Sequence, residues 1–68
     1  MFKAEVCIHH AYQDWNTDIV GTLSFHNFAR CATFARNYTR QNNNMVRIYI
    51  DNSWVMSYRF GKEIWNAF

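Results

Sequence analysis

One stretch of this chain has a helical period, and every other patterned stretch alternates. That contrast constrains the fold more than any other feature. A single amphipathic helix must bury its apolar stripe against something, and only sheet is on offer. The helical stretch is SFHNFARCATFARNYTRQ, residues 24–41. At about 100° per residue, Phe25, Phe28, Cys31, Ala32, Ala35 and Tyr38 fall on one side. His26, Arg30, Thr33, Asn37 and Arg40 fall opposite, with Arg36 at the border. Ser24 is the expected N-cap. The run QNNN at 41–44 is the expected stop, since asparagine tolerates the left-handed conformation in which many helices end.

The alternating segments lie on both sides of this helix. In FKAEVCIHH (2–10), Phe2, Ala4, Val6 and Ile8 share one face, and Lys3, Glu5, Cys7 and His9 share the other. AYQDWNT (11–17) reads as a loop, and DIVGTL (18–23) as a short strand broken by Gly21. After the helix, MVRIYI (45–50) sets Val46, Ile48 and Ile50 against Arg47 and Tyr49. DNS (51–53) signals a tight turn. WVMSYRF (54–60) then sets Trp54, Met56, Tyr58 and Phe60 against Val55, Ser57 and Arg59. GK (61–62) is a second turn, and EIWNAF (63–68) a last short strand.

The expected fold is therefore α+β. One amphipathic helix packs on an antiparallel sheet of four to five strands, in the order β-(β)-α-β-β-β. The chain of 68 residues forms a single domain, 1–68, near the lower limit for folding without a disulfide or metal. Half of its residues are hydrophobic and proline is absent, so a disordered tail is excluded. The sheet face away from the helix is expected to carry Arg47, Tyr49, Arg59 and Trp65 toward solvent.

Charge is mild in sum, +2, but uneven in place. All five acids (Glu5, Asp14, Asp18, Asp51 and Glu63) lie outside residues 19–50, and that window holds Arg30, Arg36, Arg40 and Arg47. Charged helix faces that serve solubility usually mix signs. This one does not, which leaves its guanidinium groups free for carboxylates or phosphates. Exposed Tyr49 beside arginines has the character of an interaction surface or a base-stacking platform.

Chemistry is harder to find. Cys7, His9, His10, His26 and Cys31 are metal-ligand types, but their spacing matches no zinc motif. No third group orients a Cys–His pair, no paired carboxylates occur, and no glycine loop cradles phosphate. The expectation is a binding protein with no catalytic residues, no metal and no cofactor. Two isolated cysteines favour thiols in a reducing cytoplasm. No apolar run is long enough to cross a bilayer, so no membrane partner is expected.

Taken in order, the N-terminal strand, the Gly21-Thr22 lead-in, SFHNFARCATFARNYTR, MVRIYI, a turn, WVMSYRF and GKEIW resemble small phage anti-CRISPR proteins. The likeness is to the type I-F inhibitors built from one helix on an antiparallel sheet. It implies a phage-encoded inhibitor in the host cytoplasm that is not an enzyme. Such inhibitors bind backbone protein subunits of the crRNA-guided surveillance complex and block target DNA recognition by occlusion, and some add non-specific DNA contact. The residues expected to meet the partner are Arg30, Arg36, Arg40, Arg47, Tyr49 and Arg59. Two other readings compete. One is a small basic nucleic-acid-binding module. The other is a homodimer formed through the last strand, where Trp65 and Phe68 could pair edge to edge.

Overall fold

Strict alternation in the N-terminal segment becomes strand β1, Phe2–His9, an interior strand of the sheet. The computed structural model describes residues 1–9 and 17–68, apart from the side chains of His9, Thr17 and Asp18. The expected loop over 11–17 and the candidate ligand His10 fall outside the described residues, except for Thr17, which begins strand β2. After β1 come β2 (Thr17–Phe25), helix α1 (Phe28–Gln41), β3 (Met45–Ile50), β4 (Ser53–Arg59) and β5 (Lys62–Asn66). The five strands form one antiparallel sheet in the order β2-β1-β3-β4-β5. The α+β architecture is the one expected.

Helix α1 covers one face of the sheet and packs against all five strands. Its buried stripe is made of small residues, Cys31, Ala32, Ala35 and Thr39, which lets the helix lie close to the strands. Beneath it sit Ala4 and Val6 of β1, Val46 and Ile48 of β3, and Met56 and Tyr58 of β4. Ile48 and Val46 are fully buried. Each such side chain contributes about 1.5–3 kcal/mol by leaving water. Aromatic rings seal the rim: Phe2 meets Phe28 edge-on at 5.7 Å, and Phe25 lies 5.7 Å from Phe34.

The helix starts later than its pattern predicts. Ser24 and Phe25 belong to β2, and the N-cap is Asn27. Its side-chain oxygen accepts from the backbone N–H of Ala29 at 2.7 Å and of Arg30 at 3.3 Å. Phe25 therefore reaches the core from the strand, where its pairing with Phe2 continues the sheet. The helix stop also differs from expectation. Asn42 is extended rather than left-handed, and its amide caps the helix by donating to the carbonyl of Tyr38 at 3.1 Å.

Three residues that alternation groups with the core face are exposed, Ile8 (43%) among them. Trp54 lies on the opposite face of the sheet and is 42% exposed, and Phe60 is 62% exposed. A bulge accounts for Trp54. Met56 pairs with Ile48, but Trp54 pairs with Tyr49, so Val55 is the extra residue and the alternation changes sign there. Trp54 follows Tyr49 to the open face while Met56 stays with Ile48. Phe60 sits in a turn. Phe60 (φ 57°) and Gly61 (φ 74°) form the two-residue link between β4 and β5, and Asp51 (φ 49°) and Asn52 (φ 70°) the one between β3 and β4. Paired positive φ values are what tight hairpins require.

A clasp holds the helix end to the second hairpin. The buried hydroxyl of Thr39 donates to the carbonyl of Ala35 at 2.7 Å and accepts from the backbone N–H of Gly61 at 3.0 Å. Gly61 also passes close beneath Arg40, where a Cβ would sit 3.3 Å from the arginine side chain. Glycine answers both the positive φ and the close approach.

Candidate functional site: two faces

The six arginine and tyrosine positions singled out by the sequence divide between opposite sides of the molecule. Arg30, Arg36 and Arg40 lie exposed on α1. Arg47, Tyr49 and Arg59 lie on the sheet face that the helix leaves open. The sheet separates the two sets, so they form two surfaces and not one.

On the helix, none of the three arginines pairs with a carboxylate among the described residues. They do not point together. Arg30 and Arg36 are about 120° apart around the axis. Arg30 fronts a shallow groove of about 560 Å3, walled by Phe34 and Tyr38 and edged by the amides of Asn27, Asn37 and Gln41. Phe34 and Tyr38 stack at 5.6 Å, which holds that wall in place. Arg36 and Arg40 occupy the other flank, with Arg40 over the β4–β5 turn. His26 is exposed before the helix. Cys31 is buried beneath it, and burial pushes its thiol up to about 11, so it carries no thiolate near neutrality.

The open sheet face is built around Glu5, a residue the sequence did not single out. β1 and β3 place it directly opposite Arg47. Its side chain is only 9% exposed, and Arg47 reaches its carboxylate at 3.8 Å. The hydroxyl of Tyr49 donates to the same carboxylate at 3.1 Å. Burial, followed by the negative charge of Glu5, raises the Tyr49 phenol above its ordinary range, so Tyr49 stays a neutral donor. Cys7, also on this face, lies 3.6 Å from the Glu5 carboxylate.

Planar groups then cross the face from strand to strand. The ammonium of Lys3 sits 4.6 Å over the Tyr49 ring, and the Arg47 guanidinium 4.8 Å over the Trp54 ring. Trp54 and Trp65 lie 4.5 Å apart at 36°. The Trp54 indole N–H donates to the hydroxyl of Ser57 at 2.9 Å, which fixes the ring. Arg59 lines the same groove of about 450 Å3, stacked 4.7 Å over Phe60. Tyr49 thus lies on the face away from the helix as expected, with Glu5 and Lys3 as partners.

Sequence reasoning missed Glu5, Lys3 and Trp54 as members of this surface. Alternation did put Lys3 and Glu5 on the open face. What it lacked was the register that sets Glu5 against Arg47, forty-odd positions away. Among the described residues, no three His, Cys, Asp or Glu side chains come together as metal ligands. The candidate ligands His9 and His10 lie outside the described side chains. No helix of the described residues is long and apolar enough to cross a membrane. No family model, curated protein or solved structure matches this chain.

Proposed function

We propose that the chain is a non-enzymatic inhibitor that docks its basic helix on an acidic protein surface of a nucleic-acid-handling assembly. The partner its likeness points to is the protein backbone of a type I-F crRNA-guided surveillance complex, with target DNA recognition blocked by occlusion. The observation that carries this reading is the state of Arg30, Arg36 and Arg40. They are exposed, lie in the acid-free part of the chain, and have no carboxylate partner among the described residues. A guanidinium left uncompensated is ready for bidentate pairing with a carboxylate. The groove beside Arg30, with aromatic walls and an amide rim, offers a place for a partner side chain to anchor.

The test uses purified surveillance complex and the intact chain. Size-exclusion chromatography should show a stoichiometric complex that survives nuclease, and a gel-shift assay should show loss of target DNA binding. Replacing Arg30, Arg36 and Arg40 together by Glu should abolish both effects while the far-UV dichroism stays that of the folded chain. Full capture by the triple variant would remove the helix from the interface. Binding to duplex DNA alone would instead favour a nucleic-acid module, with log K falling about 0.9 per phosphate contact against log salt.

A further inference from the structure

We propose that the open sheet face is a second binding site, which takes single-stranded nucleic acid: a base stacks on Trp65 beside Trp54, and the adjoining phosphate lies between Arg47 and Arg59. This site is on the side of the sheet away from the basic helix and is independent of it.

Four features of the face carry the assignment. First, it presents aromatic surface that the fold does not use for its core. Trp54 and Trp65 are each 42% exposed although both are held in place, Trp54 by Ser57 and Trp65 by Trp54. Base stacking on such rings tolerates any sequence, because every base has a π-face. Second, the cations beside the rings are under-used. Arg59 donates no hydrogen bond and pairs with no carboxylate among the described residues, and its Nε is buried without an acceptor. Arg47 has one carboxylate contact, at 3.8 Å, and a side-chain hydrogen bond with Tyr49, and its buried Nε likewise lacks an acceptor. Both guanidiniums are oriented by stacking rather than by saturated hydrogen bonding, so an incoming phosphate finds donors already placed.

Third, the groove that holds these groups, about 450 Å3, is in the size range of small-ligand sites and would admit one base with its phosphate. Fourth, charge selects the occupant. Among the described residues, Lys3, Arg47, Arg59 and Lys62, which pairs with Arg59, stand on this face with the buried carboxylate of Glu5. A second copy meeting the face through a two-fold axis would set one cation-rich face against another. An acidic peptide would satisfy the arginines but leave the indoles without a partner. A strand of nucleic acid supplies anion and planar ring together, at adjacent positions.

The experiment is fluorescence anisotropy with a labelled oligothymidylate of about twelve nucleotides, within the span a small binding face covers, at low salt. The expected result is saturable binding, tighter than to a duplex of equal length. Trp65→Ala and Arg59→Gln should each weaken it at least about fivefold. Trp65→Phe should restore most of the loss, and Asn43→Ala, on the exposed link between α1 and β3, should leave binding unchanged. The salt dependence should fall by about 0.7 in slope for each phosphate contact removed by Arg59→Gln. Thermal melts establish that each variant is folded. Should Trp65→Ala be unfolded, Arg59→Gln and Trp65→Phe carry the test between them. No binding by the intact chain would overturn the proposal. So would equal binding of polyglutamate, or full binding by both Arg59→Gln and a folded Trp65→Ala. Thymidine monophosphate that competed as tightly as the strand would also overturn it, in favour of a free nucleotide.

Discussion

Replacing Glu5 by Gln tests whether the open face is one coupled network. Unit charges 3.8 Å apart attract by roughly 4 kcal/mol at an effective dielectric of about 20. Several terms reduce that figure. The separation exceeds the ~2.8 Å of a close charge-assisted hydrogen bond. Gln keeps an oxygen to accept from Tyr49. Removing the charge also relieves the desolvation of a side chain that is only 9% exposed. Against these stands Arg47, 16% exposed at its side chain and left with no carboxylate partner among the described residues. The net cost should be about 2 kcal/mol, within the range for breaking a mostly buried polar pair.

For a domain of this size, with total stability of about 3–10 kcal/mol, that is a large fraction. Urea and thermal melts followed by far-UV dichroism should show it as a fall in Tm of roughly 8–16 °C. Arg47→Met and the double variant complete a cycle whose coupling energy should exceed about 1 kcal/mol. Glu5→Gln should also tighten oligothymidylate binding, because it raises the positive charge of the face while weakening the fold. A Glu5→Gln melt within about 0.5 kcal/mol of the parent, with no coupling to Arg47, would refute the network.

Two further outcomes follow from the helix and its clasp. Thr39→Val keeps the buried shape but leaves the Gly61 N–H without its acceptor, and should cost about 1 kcal/mol. Amide exchange at Gly61 should accelerate in Thr39→Val and stay slow in Thr39→Ser, which keeps the hydroxyl. Cys31 links stability to alkaline pH. Its folded pKa is raised, from 9.0 to about 11, so its contribution is fully present below pH 9 and is lost as pH rises toward 11. Comparing urea midpoints of the parent and Cys31→Ala across that window should show the parent losing stability faster, by a slope approaching one proton. Parallel slopes would mean that the thiol titrates normally.

Much of the architecture is legible in local pattern, because local pattern reflects periods the backbone imposes. The two-residue repeat of Phe2, Ala4 and Val6 and the helical spacing of Phe28, Cys31, Ala32 and Ala35 each mark the face toward the core, whereas Ile8, next in the repeat, is exposed beyond the irregularity at Val6–Cys7. With one apolar stripe and one apolar sheet face, a helix on an antiparallel sheet is the economical arrangement, and it is the one found. The exposure of Arg30, Arg36 and Arg40 follows from the same spacing.

What tertiary structure decided is the second surface. Trp54 reads as a core residue because strict alternation groups it with Met56. Only the bulge at Val55, a property of how β3 and β4 pair, turns it to the open face beside Tyr49. Glu5 reads as one polar position among several until the β1–β3 register sets it against Arg47 and under the Tyr49 hydroxyl. Helix limits moved for a similar reason. Ser24 and Asn27 are both competent caps, and pairing of Phe25 with Phe2 extended β2 far enough to leave the role to Asn27. Periodicity is local and can be read from neighbours along the chain. Register, bulges and the meeting of charges across strands depend on which segments pair, and that is settled only when the sheet forms.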